Sequence, residues 1–184
     1  VTAPRRLTLR HAQPEDLPAI MAIEEASFAL PWPASAIAQD LAGTGGACYW
    51  VVTLEDAVVA YLGSWLFELD FHVGSLATAP EHRRRGLGKL LMLCALRYAA
   101  GRGAENAFLE HRVSNEPAAR LYADLGFRKL RVRRRYYADN GEDAIELVFA
   151  GLHQDTTRLR LEQETDNWLR DHDYDVRLTE FECP

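Results

Sequence analysis

The sequence predicts an α+β protein in which helices flank one largely antiparallel sheet. Three observations carry that reading. Apolar residues switch between period 2 and helical spacing several times along the chain. The resulting order is strand, two helices, three strands, helix, strand, helix, two strands, and runs of strands interrupted by helices suit a mixed layer architecture. The 184 residues are 48% apolar, enough for one core of ordinary size with something left over.

Residues 7–10 form a short strand. Residues 14–27 form a helix, with Leu17, Ile20, Met21, Ile23 and Glu24 at helical spacing and Pro14 suited to a first turn. Pro31 and Pro33 forbid its continuation. Residues 34–41 are a second short helix, and Gly43-Thr44-Gly45-Gly46 is a turn. Residues 48–54, 57–67 and 71–78 are strands rich in aromatic and β-branched side chains, the first two joined by Glu55-Asp56. A long helix spans 87–100, with Leu87, Leu90, Leu91, Cys94 and Tyr98 on one stripe, and Gly101 and Gly103 end it. Residues 106–112 are a strand, and 117–125 a helix stopped by Gly126. Residues 127–137 and 144–149 make a final antiparallel pair through Asp139-Asn140-Gly141. After Gly151 the sheet logic stops: 156–169 read as a polar helix and 171–184 as an acidic tail. The chain thus divides into a domain over 1–150 and a C-terminal acidic extension over 151–184.

Composition excludes several function classes. Lys+Arg 21 against Asp+Glu 27 gives −6, and the last 34 residues hold nine acids and four bases, so the first 150 carry only about −1. No generally basic surface is indicated, and DNA is not a predicted partner. No run of about 18 apolar residues exists to span a membrane, and Val1 to Arg6 lack the apolar core of a signal peptide. The expectation is a soluble, cytoplasmic protein. Cys48, Cys94 and Cys183 are far apart and odd in number, against a disulfide framework or a thiolate metal site. Reduced thiols are expected, and the six scattered histidines show no ligand spacing, so no metal is predicted.

Two segments carry chemistry. The first, Thr78-Ala79-Pro80-Glu81-His82-Arg83-Arg84-Arg85-Gly86-Leu87-Gly88-Lys89, sets a basic glycine-containing turn between a strand and the long helix. Unpaired N–H groups at a helix start, reinforced by its dipole, favour an anion. Glycine lets a phosphate approach the main chain. The spacing fits neither a P-loop nor a dinucleotide fingerprint, and a solvated basic turn is the plainer reading of these residues alone. In the second, Phe108-Leu109-Glu110-His111-Arg112 ends a strand and Ser114-Asn115 can cap the helix that follows. Alternation puts Phe108, Glu110 and Arg112 on one face and His111 on the other. Tyr122 lies four residues after Ala118, at the edge of the buried stripe, where its ring can pack while its hydroxyl reaches a cleft.

The turn R-x-x-G-x-G, followed by S-N-x-x-A-x-x-L-Y-x-x-L-G-F, resembles the acetyl-CoA-binding core of the GNAT acetyltransferase superfamily. Leu109-Glu110-x-Arg112, Arg135-Tyr136-Tyr137 with Glu142-Asp143-Ala144, and Phe28-x-x-Pro31-Trp32 narrow the likeness to the ribosomal-protein-alanine N-acetyltransferases, over about residues 5–150. The resemblance implies a GNAT-type fold: a splayed sheet with acetyl-CoA wedged between the third strand and the strand ending at Glu110. It implies that Leu76, Ala77 and Thr78 hold the pantetheine arm like an added strand. Amides of Arg83, Arg84, Arg85, Gly86, Leu87, Gly88 and Lys89 would hold the pyrophosphate, and Asn115 would touch the cofactor. Glu110 matches the family's proton acceptor and Tyr122 its proton donor. The implied acceptor is a protein N-terminus, the alanine of a small-subunit ribosomal protein, and the transfer is direct, so Cys94 is core rather than nucleophile.

Without the resemblance, Glu110 reads as a strand carboxylate paired with an arginine, and Tyr122 as a packing tyrosine. The family usually has a small apolar residue at His111. Alternation points His111 away from Glu110 and favours packing, whereas a strand bulge would let it assist or replace Glu110 as base. His72 is a weaker base candidate. Trp32 and Tyr137 are candidates to line the peptide groove, with Glu142-Asp143 attracting a basic N-terminal segment; loop packing explains them equally well. Acetylation of a lysine or a small amine is an alternative within the superfamily. A ribosome- or RNA-binding module is the alternative of another class, motivated by the run Arg128-Lys129-Leu130-Arg131-Val132-Arg133-Arg134-Arg135.

Overall fold

The computed structural model describes residues 4–43 and 45–179. Thr44 of the predicted turn and Cys183 in the acidic tail lie outside the described residues. In chain order the elements are β1 (Arg5–His11), α1 (Leu17–Ser27), α2 (Ala34–Leu41), β2 (Ala47–Leu54), β3 (Ala57–Phe67), β4 (Asp70–Thr78), α3 (Leu87–Gly101), β5 (Asn106–Arg112), α4 (Glu116–Leu125), β6 (Arg128–Arg133), β7 (Ala144–Ala150), α5 (Asp155–Asp171) and β8 (Tyr174–Leu178). Short 3-10 turns at Pro14–Asp16 and Pro80–His82 lead into α1 and toward α3.

The strands form one sheet in the order β6-β7-β5-β4-β3-β2-β1-β8. β4 with β5 and β1 with β8 are parallel, and every other neighbouring pair is antiparallel. On one face the main core joins Leu7, Leu9, Trp50 and Phe71 of the strands to Leu90, Leu93, Tyr122 and Leu161 of α3, α4 and α5. On the other, Ile20, Ile23 and Ile37 of α1 and α2 pack on Tyr49, Val51, Tyr61 and Ala77. α3 is buried nearly all round because the sheet lies beneath it and α5 above.

A bulge shapes the centre of the sheet. β3 pairs Ser64 with Val73 and then Gly63 with Ser75, so Gly74 is left without a partner. An extra residue reverses the alternation of everything beyond it. Before the bulge Phe71 and Val73 face α3; after it Leu76 faces α3 and Ala77 turns to α1 and α2. Glycine is required here, since a Cβ on Gly74 would sit 2.2 Å from Cζ3 of Trp65. The same point ends the pairing of β4 with β5, whose last rung is Val73 with Leu109.

Three features differ from the sequence expectation. The sixth strand ends at Arg133 rather than at residue 137, because Arg135 adopts φ +50 and its N–H donates to Asp143 Oδ1 at 2.8 Å. The acidic extension supplies a 17-residue helix and an edge strand of the same sheet, Arg5 pairing with Tyr174 through to Leu9 with Leu178. Cys94 is free and fully buried, whereas Cys48 is disulfide-bonded, which corrects the expectation of reduced thiols for that residue. Among the described residues no helix is long and apolar enough to cross a membrane.

Candidate active site

Beyond Val73 and Leu109 the two central parallel strands separate, leaving Leu76, Ala77 and Thr78 of β4 unpaired on their β5 side. The main-chain groups facing that wedge have no strand partner and can pair with an extended ligand as an added strand would, although Thr78 O already accepts from Arg83 Nε at 3.1 Å. Glu110 is the first β5 residue past the last rung. β5 runs unbulged against β7 from Asn106 to Arg112, so Glu110 and His111 keep opposite faces as alternation requires.

The Glu110 carboxylate is 27% exposed and accepts from Arg133 Nη1 at 2.6 Å. Its cross-strand partner is Glu146, and like charges directly opposite repel. The basic strand β6 offsets this: Arg131 donates to Glu146 from Nε at 2.6 Å and from Nη2 at 3.2 Å, while Arg133 takes Glu110. The run 128–135 is therefore an exposed edge, with Arg131, Arg133 and Arg134 engaged by carboxylates. Arg133 also lies over the Tyr136 ring, 4.4 Å from the centroid.

Tyr122, 7% exposed on α4, packs between His111 at 6.0 Å and Phe127 at 5.8 Å between ring centroids. Burial, then the neighbouring Tyr137, pushes its phenol well above the usual 10. Tyr137 is itself raised by burial to about 12. It sits on the segment between β6 and β7, which Arg112 organises. Arg112 binds Asp139 through both carboxylate oxygens at 2.9 Å, reaches Glu142 at 3.2 Å, and stacks 3.8 Å from the Tyr137 ring centre. Glu142 accepts from the Ser114 amide at 2.8 Å, and Ser114 followed by Arg112 holds its carboxyl down to about 2. His111 is 7% exposed, with Nδ1 against its neighbour Arg112 O at 2.8 Å, so it packs on Tyr122 from the core side. His72 stacks on Phe108 at 5.3 Å below the point of separation, on the paired side of the wedge.

The turn before α3 has the predicted exposed, basic character. Arg84 has φ +61 and Gly86 φ +76. Arg83 donates to Thr78 O and to Ser27 Oγ, each at 3.1 Å, and Arg85 to Glu81 O at 3.1 Å. No side chain caps α3, so its first amides, from Leu87, Gly88 and Lys89, remain available to an anion. The two glycines are not equivalent. A Cβ on Gly88 would meet only Leu121 at 3.7 Å and Leu76 at 3.9 Å, whereas Gly86 is a glycine for its left-handed backbone and for rings packed against it from α5. Asn115 caps α4, its Oδ1 accepting from Ala118 N–H at 3.2 Å, which leaves its amide N–H groups to donate elsewhere.

Trp32 is 47% exposed on the loop after α1, its ring 6.4 Å from Trp65. Because Trp65 also covers Gly74, these rings stand where β4 leaves β5. The loop is tethered from below: Trp32 N–H donates to Glu24 Oε1 at 2.9 Å, and Tyr61 Oη–H donates to Glu24 Oε2. Burial raises the Glu24 carboxyl. Glu24, Trp65 and Arg133 are the site residues that sequence reasoning missed. Only Glu24 left a trace, as a carboxylate at an apolar helical position. Among the described residues, no group of three or more His, Cys, Asp or Glu side chains gathers to hold a metal.

Comparison with known proteins agrees with this geometry. Residues 17–127 match the Acetyltransferase (GNAT) family. A ribosomal protein bS18-alanine N-acetyltransferase of Salmonella typhimurium is 34% identical over 134 residues, 71% of this chain and 88% of that protein. The crystal structure of the ribosomal-protein-S18-alanine N-acetyltransferase from Escherichia coli has a TM-score of 0.72 at 29% identity, covering 78% of this chain and 93% of that one. Arabidopsis thaliana NAA60 in complex with acetyl-CoA shares the fold, with a TM-score of 0.71 at 18% identity over 78% of this chain and 98% of that one.

Proposed function

The chain belongs to the acetyltransferase (GNAT) family, and from that premise we propose that it transfers the acetyl group of acetyl-CoA to the α-amine of a protein N-terminus, the alanine of a small-subunit ribosomal protein. The observation that carries the reading is the position of Glu110, the first residue of β5 beyond its last rung with β4. The wedge there fits a thioester carrier. Leu76, Ala77 and Thr78 offer a strand edge without a β5 partner, and the uncapped start of α3 the amides of Leu87, Gly88 and Lys89, whereas the Arg83 amide is already bonded to Pro80 O at 3.3 Å.

In this reading the α-amine approaches from the side of Trp32 and Tyr137, and the Glu110 carboxylate accepts its proton, directly or through a water. An α-amine ionises near a pKa of about 7.7–8.0, so a useful fraction is neutral at pH 7, whereas a lysine near about 10.4 starts roughly 3.5 kcal/mol worse. A carboxylate base is therefore matched to an N-terminus. Tyr122, held protonated by burial, donates to the departing sulfur. The transfer is direct. Cys94 is fully buried and its thiol is pushed up to about 12, the opposite of an activated nucleophile.

The test is a steady-state comparison of alanine-starting peptides, lysine peptides and free amines with acetyl-CoA. The peptides bearing a free N-terminal alanine are expected to turn over best. Faster turnover of a lysine peptide or a small amine defeats the N-terminal assignment, and absence of heat when the protein is titrated with acetyl-CoA defeats the whole reading.

A further inference from the structure

The helix and strand after residue 151 lie outside the segment that matches the family, yet the helix end touches the turn before α3 through Trp168 and His172. We infer that Trp168 and His172 are positioning residues for acetyl-CoA: they lock the turn from behind in the form that presents its amides to the pyrophosphate. The inference rests on the proposed function of that turn.

One peptide plane, Gly86–Leu87, sets the turn. Gly86 O accepts from Leu90 N–H at 3.1 Å in the first turn of α3, and from the indole Trp168 Nε1–H at 3.0 Å. Both lone pairs of the carbonyl are thereby used. In a trans peptide the C=O and the following N–H point in opposite directions. Fixing the Gly86 carbonyl toward the helix therefore fixes the Leu87 N–H outward, where an anion binds. The same two rings close off alternatives at Gly86. A Cβ there would sit 2.6 Å from Trp168 Nε1 and 2.7 Å from His172 Nε2, so the rings are packed directly on the bare α-carbon.

The clamp is itself rigid. The Trp168 and His172 rings stack at 4.0 Å and 10°, His172 Nδ1–H donates to Trp168 O at 2.8 Å, and Trp168 is only 4% exposed. Tyr174 lies parallel to the Trp168 ring at 6.3 Å and begins the strand that pairs with β1. At the other end of α5, Arg158 donates to Ala100 O at 2.9 Å and Arg160 to Leu125 O at 3.0 Å, the last turns of α3 and α4. The helix is thus strapped across the length of α3. The turn needs such support, since Arg84 and Gly86 both have positive φ and no side chain caps the helix. A site held in its binding conformation before the ligand arrives loses less entropy on binding.

The experiment measures acetyl-CoA affinity by calorimetry, steady-state constants and melting temperature for wild type, Trp168→Phe, His172→Ala and Arg158→Ala. Trp168→Phe keeps an aromatic ring and removes the donor. It is expected to raise Kd and KM for acetyl-CoA roughly five- to tenfold, the worth of one hydrogen bond, with kcat and the peptide KM unchanged. His172→Ala, on a half-exposed residue, is expected to do the same to a smaller degree. Arg158→Ala loosens α5 at its far end and is expected to lower the melting temperature without altering Kd. An acetyl-CoA Kd within twofold of wild type in both Trp168→Phe and His172→Ala overturns the inference while leaving the proposed function standing. Equal weakening by Arg158→Ala also overturns it, because general loosening would then explain the effect. A wild type that takes up no acetyl-CoA overturns both.

Discussion

Tyr122 packs against His111 on the α3 face of β5, and Glu110 lies on the opposite face, paired with Arg133. Each is proposed to move one proton, so removing either should lower kcat on the order of 10²–10⁴-fold without a change in fold. Tyr122→Phe and Glu110→Gln are the variants, read by turnover and circular dichroism. A near-normal Glu110→Gln alongside an inactive His111→Ala would move the base to the histidine. Glu142 carries a pH prediction. Its carboxyl lies at about 2 in the folded protein against an ordinary 4.5, so the unfolded chain binds protons more readily in between. Its contribution to stability is present above about 4.5 and is lost as pH falls toward about 2. Denaturant titrations at pH 7 and pH 3 should show a smaller acid-induced loss in Glu142→Gln than in wild type.

At the scale of elements, the segment joining β6 to β7 is held by one guanidinium. Arg112 binds Asp139 and Glu142 and stacks on Tyr137, so the loop carrying the proposed peptide contact is ordered by the last residue of β5. A bidentate guanidinium that also stacks on a ring fixes geometry better than an isolated surface ion pair. Arg112→Ala should therefore release residues 134–143, seen as faster tryptic cleavage after Arg134 or Arg135, and raise the peptide KM more than the acetyl-CoA KM. Unchanged cleavage would show that the strands alone order the loop. The opposing wall has the same construction. The buried Glu24 ties the backbone of Trp32 to α1, and Trp65 stands between Trp32 and the bulge at Gly74.

Across the whole molecule, α3 is a core helix because two layers cover it, the sheet on one side and α5 on the other. Leu161 is fully buried on α5. Leu161→Ala should cost about 2–5 kcal/mol, read as a fall in melting temperature and denaturation midpoint. A loss under 1 kcal/mol would mean that α5 covers α3 only loosely. The edges of the sheet are handled differently. β6 is a basic, solvated edge, while β8 closes the side next to β1.

Much of this was legible in the chain itself. Element order and most boundaries follow from local causes: the period of apolar side chains, prolines at 31 and 33, glycines at 101, 103 and 126, and the Asn115 cap. The basic turn, Glu110 and Tyr122 stood out only through the family resemblance, since local pattern alone reads them as a solvated turn, a paired strand carboxylate and a packing tyrosine. Three things were not. The bulge at Gly74, which opens the wedge and reverses alternation after Val73, depends on Trp65 lying over it from another strand. The union of Arg133 with Glu110 depends on the register of β6, β7 and β5 together. The seating of Trp168 on Gly86 joins residues 82 apart. A polar helix pattern over 156–169 does not announce such a contact, because its buried face is only Leu161, Thr165 and Trp168. Local periodicity specifies which face of an element is apolar; only the folded chain specifies what meets that face.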